Sequence, residues 1–335
     1  MTHLFHFFYT EPKPQVDMEL EKSQVNSLAL GVLSINVFSL LAQIVLLLLL
    51  SNSPWYNHPA FEIVVGSTGM YLIAFPLSML FFRRCRATAP AEKRSLAPLD
   101  IFALISIAMT LTLAGSIIGT LITNLLASLQ GQAGSNPVAD ATENTPVWAI
   151  LVFMVLLGPI CEELLFRRVL INRLRRYGEL PAILISGLVF GLIHGNFSQL
   201  FYATLLGFFF GFIYVKTGKL RYTVFLHVFI NFFGGAWTTV IQRLFGGEIP
   251  AEFTPEMVAE YLTPILMTFG YYALYLLCLA GLIPSLICLK QLRGKKEPEV
   301  SLTKKQTCSL TLASFPFLLS AVVLVGLLVM SIFLT

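Results

Sequence analysis

The chain is dominated by apolar runs of about the length that crosses a lipid bilayer. A helix of about 20 apolar residues spans the roughly 30 Å of hydrocarbon in a membrane. Nine runs of roughly this kind lie at about 28–50, 62–82, 101–129, 147–172, 182–195, 197–215, 222–242, 264–289 and 309–334. A backbone inside lipid must satisfy its own hydrogen bonds. The sequence therefore predicts an all-α, polytopic transmembrane helical bundle of about nine spans, in which the short run 182–195 forms a hairpin with the next and does not fully cross.

Composition leaves little room for anything besides membrane helices. The mean hydropathy is +0.78 and only 12% of the residues are charged, and no polar stretch is long enough for a soluble domain. The five cysteines are scattered and form no C-x-x-C pair, which argues against a disulfide framework or a zinc knuckle. The net charge of +4 is ordinary for a membrane protein. We expect membrane lipid as a partner and no nucleic acid.

The charge of the connecting loops alternates along the chain. Basic loops carry Arg83 to Arg94, the run ending in Arg176, Lys216 to Arg221, and Lys290 to Lys305. The intervening loops at 51–61, 130–146 and 243–263 contain a single Lys or Arg, Arg243. Because basic loops face the cytoplasm, the pattern predicts a multi-pass protein of the cell membrane with a cytoplasmic N-terminus.

The stretch "GPICEELLFRR", residues 158–168, places ionisable groups inside the fourth apolar run. A charged side chain in hydrocarbon costs several kcal/mol unless it is paired or lines a wet cavity. Glu163 and Arg167 are four residues apart, so they share a helix face and can form a structural ion pair. Glu162 points about 100° away from Glu163 and lies roughly 16 Å deep, counted from Arg173. It needs a partner on another helix, or water.

Two later runs carry histidines that could meet Glu162. His194 ends the short run, with Phe190 one helical turn before it, and His227 is followed one turn later by Asn231. A lone intramembrane His or Asn is often only an interhelical hydrogen bond, worth about 0.6–2 kcal/mol. A buried carboxylate beside an imidazole, however, is suited to act as a general base for water. Together these groups favour hydrolysis.

The sequence excludes three known kinds of intramembrane hydrolase site. The only aspartates, Asp17, Asp100 and Asp140, lie outside the apolar runs, which excludes an aspartyl protease that needs two. There is no H-E-x-x-H zinc motif, and no run carries the G-x-S-G serine of a rhomboid-like protease.

The motifs that remain are E-E-x-x-x-R, F-x-x-x-H and H-x-x-x-N, in that order on three segments. With the Gly-rich "LGFFFGFIYVKTGKLRYTVFLH" between the last two, they resemble the CAAX prenyl endopeptidase and bacteriocin-processing (CPBP, Abi) family of intramembrane glutamate proteases. The resemblance implies a catalytic core at 145–240. It leaves the transmembrane helices at 1–130 and 250–335 without a recognised signature.

The resemblance also implies roles for the motif residues. Glu162, with His194, would activate a water for attack on a peptide bond, and His227 with Asn231 would stabilise the oxyanion. Glu163 and Arg167 would hold this geometry, and Phe190 would pack beside His194. The substrate would be a hydrophobic or lipidated peptide.

Three alternatives stay open at this stage. Glu162, His194 and His227 could ligate zinc, but we favour a metal-free mechanism without a cofactor, because two histidines on separate helices with no close third ligand specify zinc poorly. The chain could instead be a non-catalytic bacteriocin-immunity or scaffold protein. It could also be a proton-coupled transporter with Glu162 in a relay.

Overall fold

Every regular element in the described part of the chain is a helix. The computed structural model describes residues 16–88, 93–132, 136–246, 261–292 and 298–333, together with Gly134 and Thr254. The helices within these ranges are α1 (Met18–Leu50), α2 (Phe61–Phe82), α3 (Pro98–Leu129), α4 (Pro137–Glu143), α5 (Val147–Tyr177), α6 (Glu179–Leu192), α7 (Phe197–Thr217), α8 (Leu220–Leu244), α9 (Leu262–Ala280), α10 (Leu282–Gln291), α11 (Lys304–Leu312) and α12 (Phe315–Met330).

Seven of these helices are long and apolar enough to cross a membrane, namely α1, α2, α3, α5, α7, α8 and α9. An eighth crossing is formed if α11 and α12, which meet at a bend of 71°, count as one span. The chain is therefore a multi-pass membrane protein, and the predicted all-α class is confirmed. The count of about nine spans is not confirmed, because α6 has only 14 residues and α11–α12 is bent. The cytoplasmic N-terminus stays a prediction.

The helix ends follow local sequence signals. Asp17 caps α1 by accepting hydrogen bonds from the backbone N–H groups of Glu19 and Leu20, which otherwise have no partner in the first turn. Gly218 ends α7 in the left-handed conformation, at φ +63°, where a side chain would be strained. Through this turn, α8 packs back against α7 and α5.

The helix α7 lies at the centre of the bundle, between α6 on one side and α3 on the other. Its crossing with α6 is close because two glycines face each other. A Cβ on Gly207 would lie 2.7 Å from the Cα of Gly187, and a Cβ on Gly187 would lie 2.6 Å from the backbone nitrogen of Phe208. Small residues of this kind let membrane helices approach closely.

We expect Gly187→Ala to lower the thermal unfolding midpoint, because the added methyl group meets backbone atoms that cannot move aside. Overpacking of a dense interface typically costs about 1–3 kcal/mol. The matched control is Gly270→Ala in α9, where nothing lies within 4 Å of the added carbon and where alanine favours the helix. Unfolding followed in detergent should separate the two variants, and equal midpoints would contradict the close crossing.

Four helical segments have widened turns, in which the backbone hydrogen bond reaches five residues back. They are Thr68–Ala74 in α2, Ile150–Leu157 and Leu164–Ile171 in α5, and Phe232–Trp237 in α8. Such turns are rare in helices and occur frequently at functional sites. In α5 they flank the regular turn Gly158–Glu163 on both sides. The widened turns therefore mark the region where α2, α5 and α8 meet.

Candidate active site

The centre of the site is a buried ion pair on α5. Glu163 and Arg167 are both fully buried, and the guanidinium donates two hydrogen bonds to the carboxylate, at 2.9 and 3.2 Å. A third guanidinium N–H lies 3.3 Å from the Ser186 hydroxyl on α6. The phenyl rings of Phe166, Phe190 and Phe210 surround the cation, with centroids 5.1–6.0 Å from its central carbon. Ring faces stabilise a desolvated cation, so Arg167 is held in place by charge, hydrogen bonds and π contacts.

His227, on α8, lies between the two adjacent glutamates. Its Nδ1 is 3.1 Å from Oε1 of Glu163, and its Nε2 is 3.7 Å from Oε2 of Glu162. The imidazole is almost completely buried. Glu163 thus contacts Arg167 and His227 together, so the ion pair also fixes the orientation of the imidazole ring.

Glu162 lies on the other side of the His227 ring from Glu163, and its side chain keeps 16% of its surface exposed. Its Oε1 accepts a hydrogen bond of 2.6 Å from the hydroxyl of Tyr71 on α2. The separation of 3.7 Å between Oε2 and the His227 Nε2 is too long for a hydrogen bond. One carboxylate oxygen is therefore anchored, while the other faces an imidazole nitrogen without bonding to it.

His194 follows the end of α6, and its Nδ1 is 2.7 Å from the carbonyl oxygen of Phe190. A carbonyl can only accept, so Nδ1 carries the proton and, in the neutral ring, Nε2 keeps its lone pair. The Phe190 ring meets the His194 ring edge-on at 5.2 Å and the His227 ring at 5.6 Å.

Asn231 lies one helical turn after His227, immediately before the widened turn of α8. Its amide nitrogen donates a hydrogen bond of 2.9 Å to the carbonyl oxygen of Met154 in α5. One amide N–H is used in this way, and the group carries a second. Asn231 therefore ties α8 to α5 at Met154, about two helical turns before Glu162.

The structure thus connects six of the seven residues singled out by the sequence motifs into one group through direct contacts. The seventh, Asn231, lies one helical turn from His227, and its described hydrogen bond goes to the backbone of Met154. Tyr71, Ser186 and Phe210 belong to the same group and were not predicted. Ser186 lies one turn before Phe190 on the same helix face, so helical spacing could have identified it. Tyr71 comes from a distant span with no motif around it, and no sequence signal points to it.

The arrangement does not fit a zinc site. Among the residues that the structure describes, no group of three or more His, Cys, Asp or Glu side chains is placed to hold a metal ion. A catalytic zinc needs three protein ligands converging at about 2 Å, which these side chains do not offer.

A crevice leads to Glu162 between α1, α2 and α5. The cavity there is small, about 10 Å³, and is lined by Cys161 and Glu162, by Tyr71, and by the apolar side chains of Ile35, Met70, Phe75 and Leu165. About one water fits such a volume. The exposed edge of Glu162 is therefore approached along mainly apolar walls.

Comparisons with known proteins match the part of the chain that holds this group. The family described as "Type II CAAX prenyl endopeptidase Rce1-like" matches residues 144–233. A Bacillus subtilis (strain 168) protein named "Putative membrane peptidase YdiL" is 30% identical over 97 residues, which are 29% of this chain and 39% of the relative. The "UPF0177 protein YxdF" of Lactococcus lactis subsp. lactis (strain IL1403) is 27% identical over 124 residues, 37% of this chain and 67% of that protein.

The first of these relatives is matched over less than two thirds of its own length, and no solved structure matches the chain significantly. The matched region begins just before α5 and ends just after Asn231, so it contains the three motifs, all of α5, α6 and α7, and the first half of α8. Through this region the chain is similar to the CAAX prenyl endopeptidase family, which is a family of membrane proteases.

Proposed function

We propose that the chain is an intramembrane endopeptidase that hydrolyses a peptide bond of a hydrophobic or lipidated peptide with a water activated by Glu162. The observation that carries the proposal is the position of this carboxylate. It is anchored at one oxygen, open at the other, and lies 3.7 Å from an imidazole that is itself fixed by a buried ion pair. A general base needs this combination of orientation and access.

The hydrogen-bond partners of the two histidines suit them to opposite tasks. His194, whose Nδ1–H is bonded to a carbonyl, offers the lone pair of Nε2 as an acceptor and can assist Glu162 in taking a proton from water. His227 donates from Nδ1 to Glu163, so it donates from Nε2 as well when it is protonated. The two glutamates and Arg167 then balance the imidazolium, and the group has no net charge.

In the proposed reaction, water loses a proton to Glu162, and its oxygen bonds to the carbonyl carbon of the substrate. The carbonyl oxygen becomes an oxyanion, which accepts hydrogen bonds from Nε2 of His227 and from the second amide N–H of Asn231. One such donor contributes about 3–4 kcal/mol to the stability of the transition state. The C–N bond then breaks as the proton held by Glu162 passes to the leaving nitrogen.

An apolar substrate is favoured by the surroundings of the site. The walls of the crevice at Glu162 are mainly apolar. A second cavity of about 440 Å³ lies between α1, α5, α6 and α12, lined by such residues as Leu28, Leu170, Val189 and Leu324. Ligand pockets typically enclose roughly 300–1,000 Å³. We propose 145–240 as the catalytic core, with the helices of 1–130 and 250–335 forming the apolar surroundings.

The test is a cleavage assay of the purified protein on hydrophobic and lipidated peptides in ¹⁸O-labelled water. We expect a cut peptide with one labelled oxygen in the new carboxylate. A Glu162→Gln sample purified in parallel serves as the blank. Cleavage of no peptide above this blank would contradict the proposal, and proton-coupled flux in vesicles without cleavage would support a transporter instead.

The same assay tests the absence of a metal from the mechanism. We expect a strong chelator to leave the cleavage rate unchanged, because the described side chains do not converge on a metal position. A control zinc protease must lose activity under identical conditions. Loss of cleavage that returns when zinc is added back would show that the metal-free mechanism is wrong.

A further inference from the structure

Tyr71 lies outside the family-matched region yet contacts its central carboxylate. It belongs to the widened turn Thr68–Ala74 of α2, and its hydroxyl donates the 2.6 Å hydrogen bond to Oε1 of Glu162. Hydrogen bonds between a hydroxyl and a carboxylate of this length are among the stronger ones in proteins. The strongest described contact of Glu162 is therefore made by a helix that carries none of the sequence motifs.

This contact decides which way the carboxylate faces. The terminal torsion of a glutamate is broad and only weakly confined by sterics, so an unanchored carboxylate would turn freely. With Oε1 bonded to Tyr71, Oε2 is directed towards Nε2 of His227, at 3.7 Å. A water beside this gap can reach both atoms at hydrogen-bond distance, although the two do not bond to each other.

Gly158 provides the space for the tyrosine hydroxyl. It lies one helical turn before Glu162 and so on the same face of α5. A Cβ at this position would lie 3.1 Å from the carbonyl oxygen of Phe153 in the same helix, 3.2 Å from the hydroxyl oxygen of Tyr71 and 3.7 Å from the ring carbon that bears it. The first two distances are tighter than ordinary van der Waals contact, whereas the third is ordinary. A side chain at 158 would therefore press on the Phe153 carbonyl and on the Tyr71 hydroxyl, and little on the ring.

We propose that Tyr71, seated on the space left by Gly158, is a positioning residue that fixes Glu162 in the orientation needed to activate water. This inference rests on the proposed function. It adds that the site is completed by α2, outside the catalytic core. The competing explanation is a hydrogen bond that only holds two helices together.

The experiment compares Tyr71→Phe with Tyr214→Phe. Tyr214 is also buried, and its hydroxyl donates to Asn172 at 3.2 Å, away from the site. We expect Tyr71→Phe to lower kcat roughly 10- to 100-fold, the effect of one hydrogen bond to a charged group, with KM unchanged. Tyr214→Phe should leave kcat unchanged. Equal kcat values for the two variants would overturn the proposal.

Gly158→Ala gives a second readout that a structural hydrogen bond would not produce. In the wild-type background the methyl group displaces the hydroxyl, so kcat should fall. In the Tyr71→Phe background that hydroxyl is gone and only the contact with the Phe153 carbonyl remains. The same change should then lower kcat by a smaller factor than in the wild-type background, since residues that act through one contact are not additive. Fully additive losses would show that Gly158 acts independently of Tyr71.

Infrared spectroscopy separates this inference from the proposed activity. The carboxylate band of Glu162 is identified as the band lost in Glu162→Gln. It should shift in Tyr71→Phe and not in Tyr214→Phe, whether or not any peptide is cleaved. An active wild type with an unshifted band would refute the role of Tyr71 alone. An inactive wild type with a shifted band would refute the peptidase and leave the anchoring of Glu162 supported.

Discussion

Replacing Glu162 by glutamine is expected to lower kcat by about 10²–10⁴-fold, the usual contribution of a positioned general base. The amide keeps the shape of the carboxylate and can still accept the hydrogen bond from Tyr71 through its oxygen. It cannot take a proton from water. KM should change little, because the fold and the apolar walls of the crevice are untouched.

The matched control is Glu62→Gln. Glu62 is exposed at the start of α2, so the same chemical change is made away from the site. This variant should keep the wild-type kcat. The wild type, Glu162→Gln and Glu62→Gln should all have the same thermal unfolding midpoint. If Glu162→Gln retains a tenth or more of the wild-type kcat while Glu62→Gln is normal, Glu162 is not the base.

Arg167→Met is expected to destabilise the protein by about 3–5 kcal/mol, the cost of removing one partner from a buried ion pair. The substitution leaves the Glu163 carboxylate fully buried with the imidazole of His227 as its remaining ionisable contact. The free energy of unfolding in mixed micelles measures this loss. Peptide cleavage should disappear as well, since Glu163 then no longer fixes the His227 ring.

Two further variants distinguish the buried pair from a general effect of charge. Arg168→Met removes the adjacent arginine, which is exposed, and should change stability by no more than about 0.5 kcal/mol. The double variant Glu163→Gln/Arg167→Met removes both charges and should be more stable than Arg167→Met alone. If the double variant is less stable than Arg167→Met, the pair is not coupled as the structure indicates.

The helical spacing of the sequence predicted the parts of the site that lie on one helix. Glu163 and Arg167 are four residues apart, and they form the expected ion pair. The prediction that Glu162 needs a partner elsewhere also agrees with the structure, which places Tyr71 and His227 beside it. The catalytic roles of Glu162, His194, His227 and Asn231 stay predictions.

Residue spacing could not predict the contacts between helices that are distant in the sequence. Tyr71 reaches Glu162 across 91 positions of the chain, and a sequence pattern carries no record of such a pair. The widened turns add to the difficulty, because each inserts an extra residue and rotates the following face of the helix. Counting from Arg173 through the widened turn Leu164–Ile171 therefore gives only an approximate depth for Glu162. The number of spans could not be predicted from hydropathy alone, because hydropathy does not show the 71° bend between α11 and α12.

The shortness of α6 has a consequence for where solvent can enter. Fourteen residues extend about 21 Å, so a helix that starts at one face of the hydrocarbon ends before reaching the other. The last carbonyl groups of any helix lack partners within it, and here the imidazole of His194 meets one of them. The end of α6 therefore places backbone carbonyl groups, which favour hydration, beside the imidazole of His194. The proposed hydrolysis would take its water from this position.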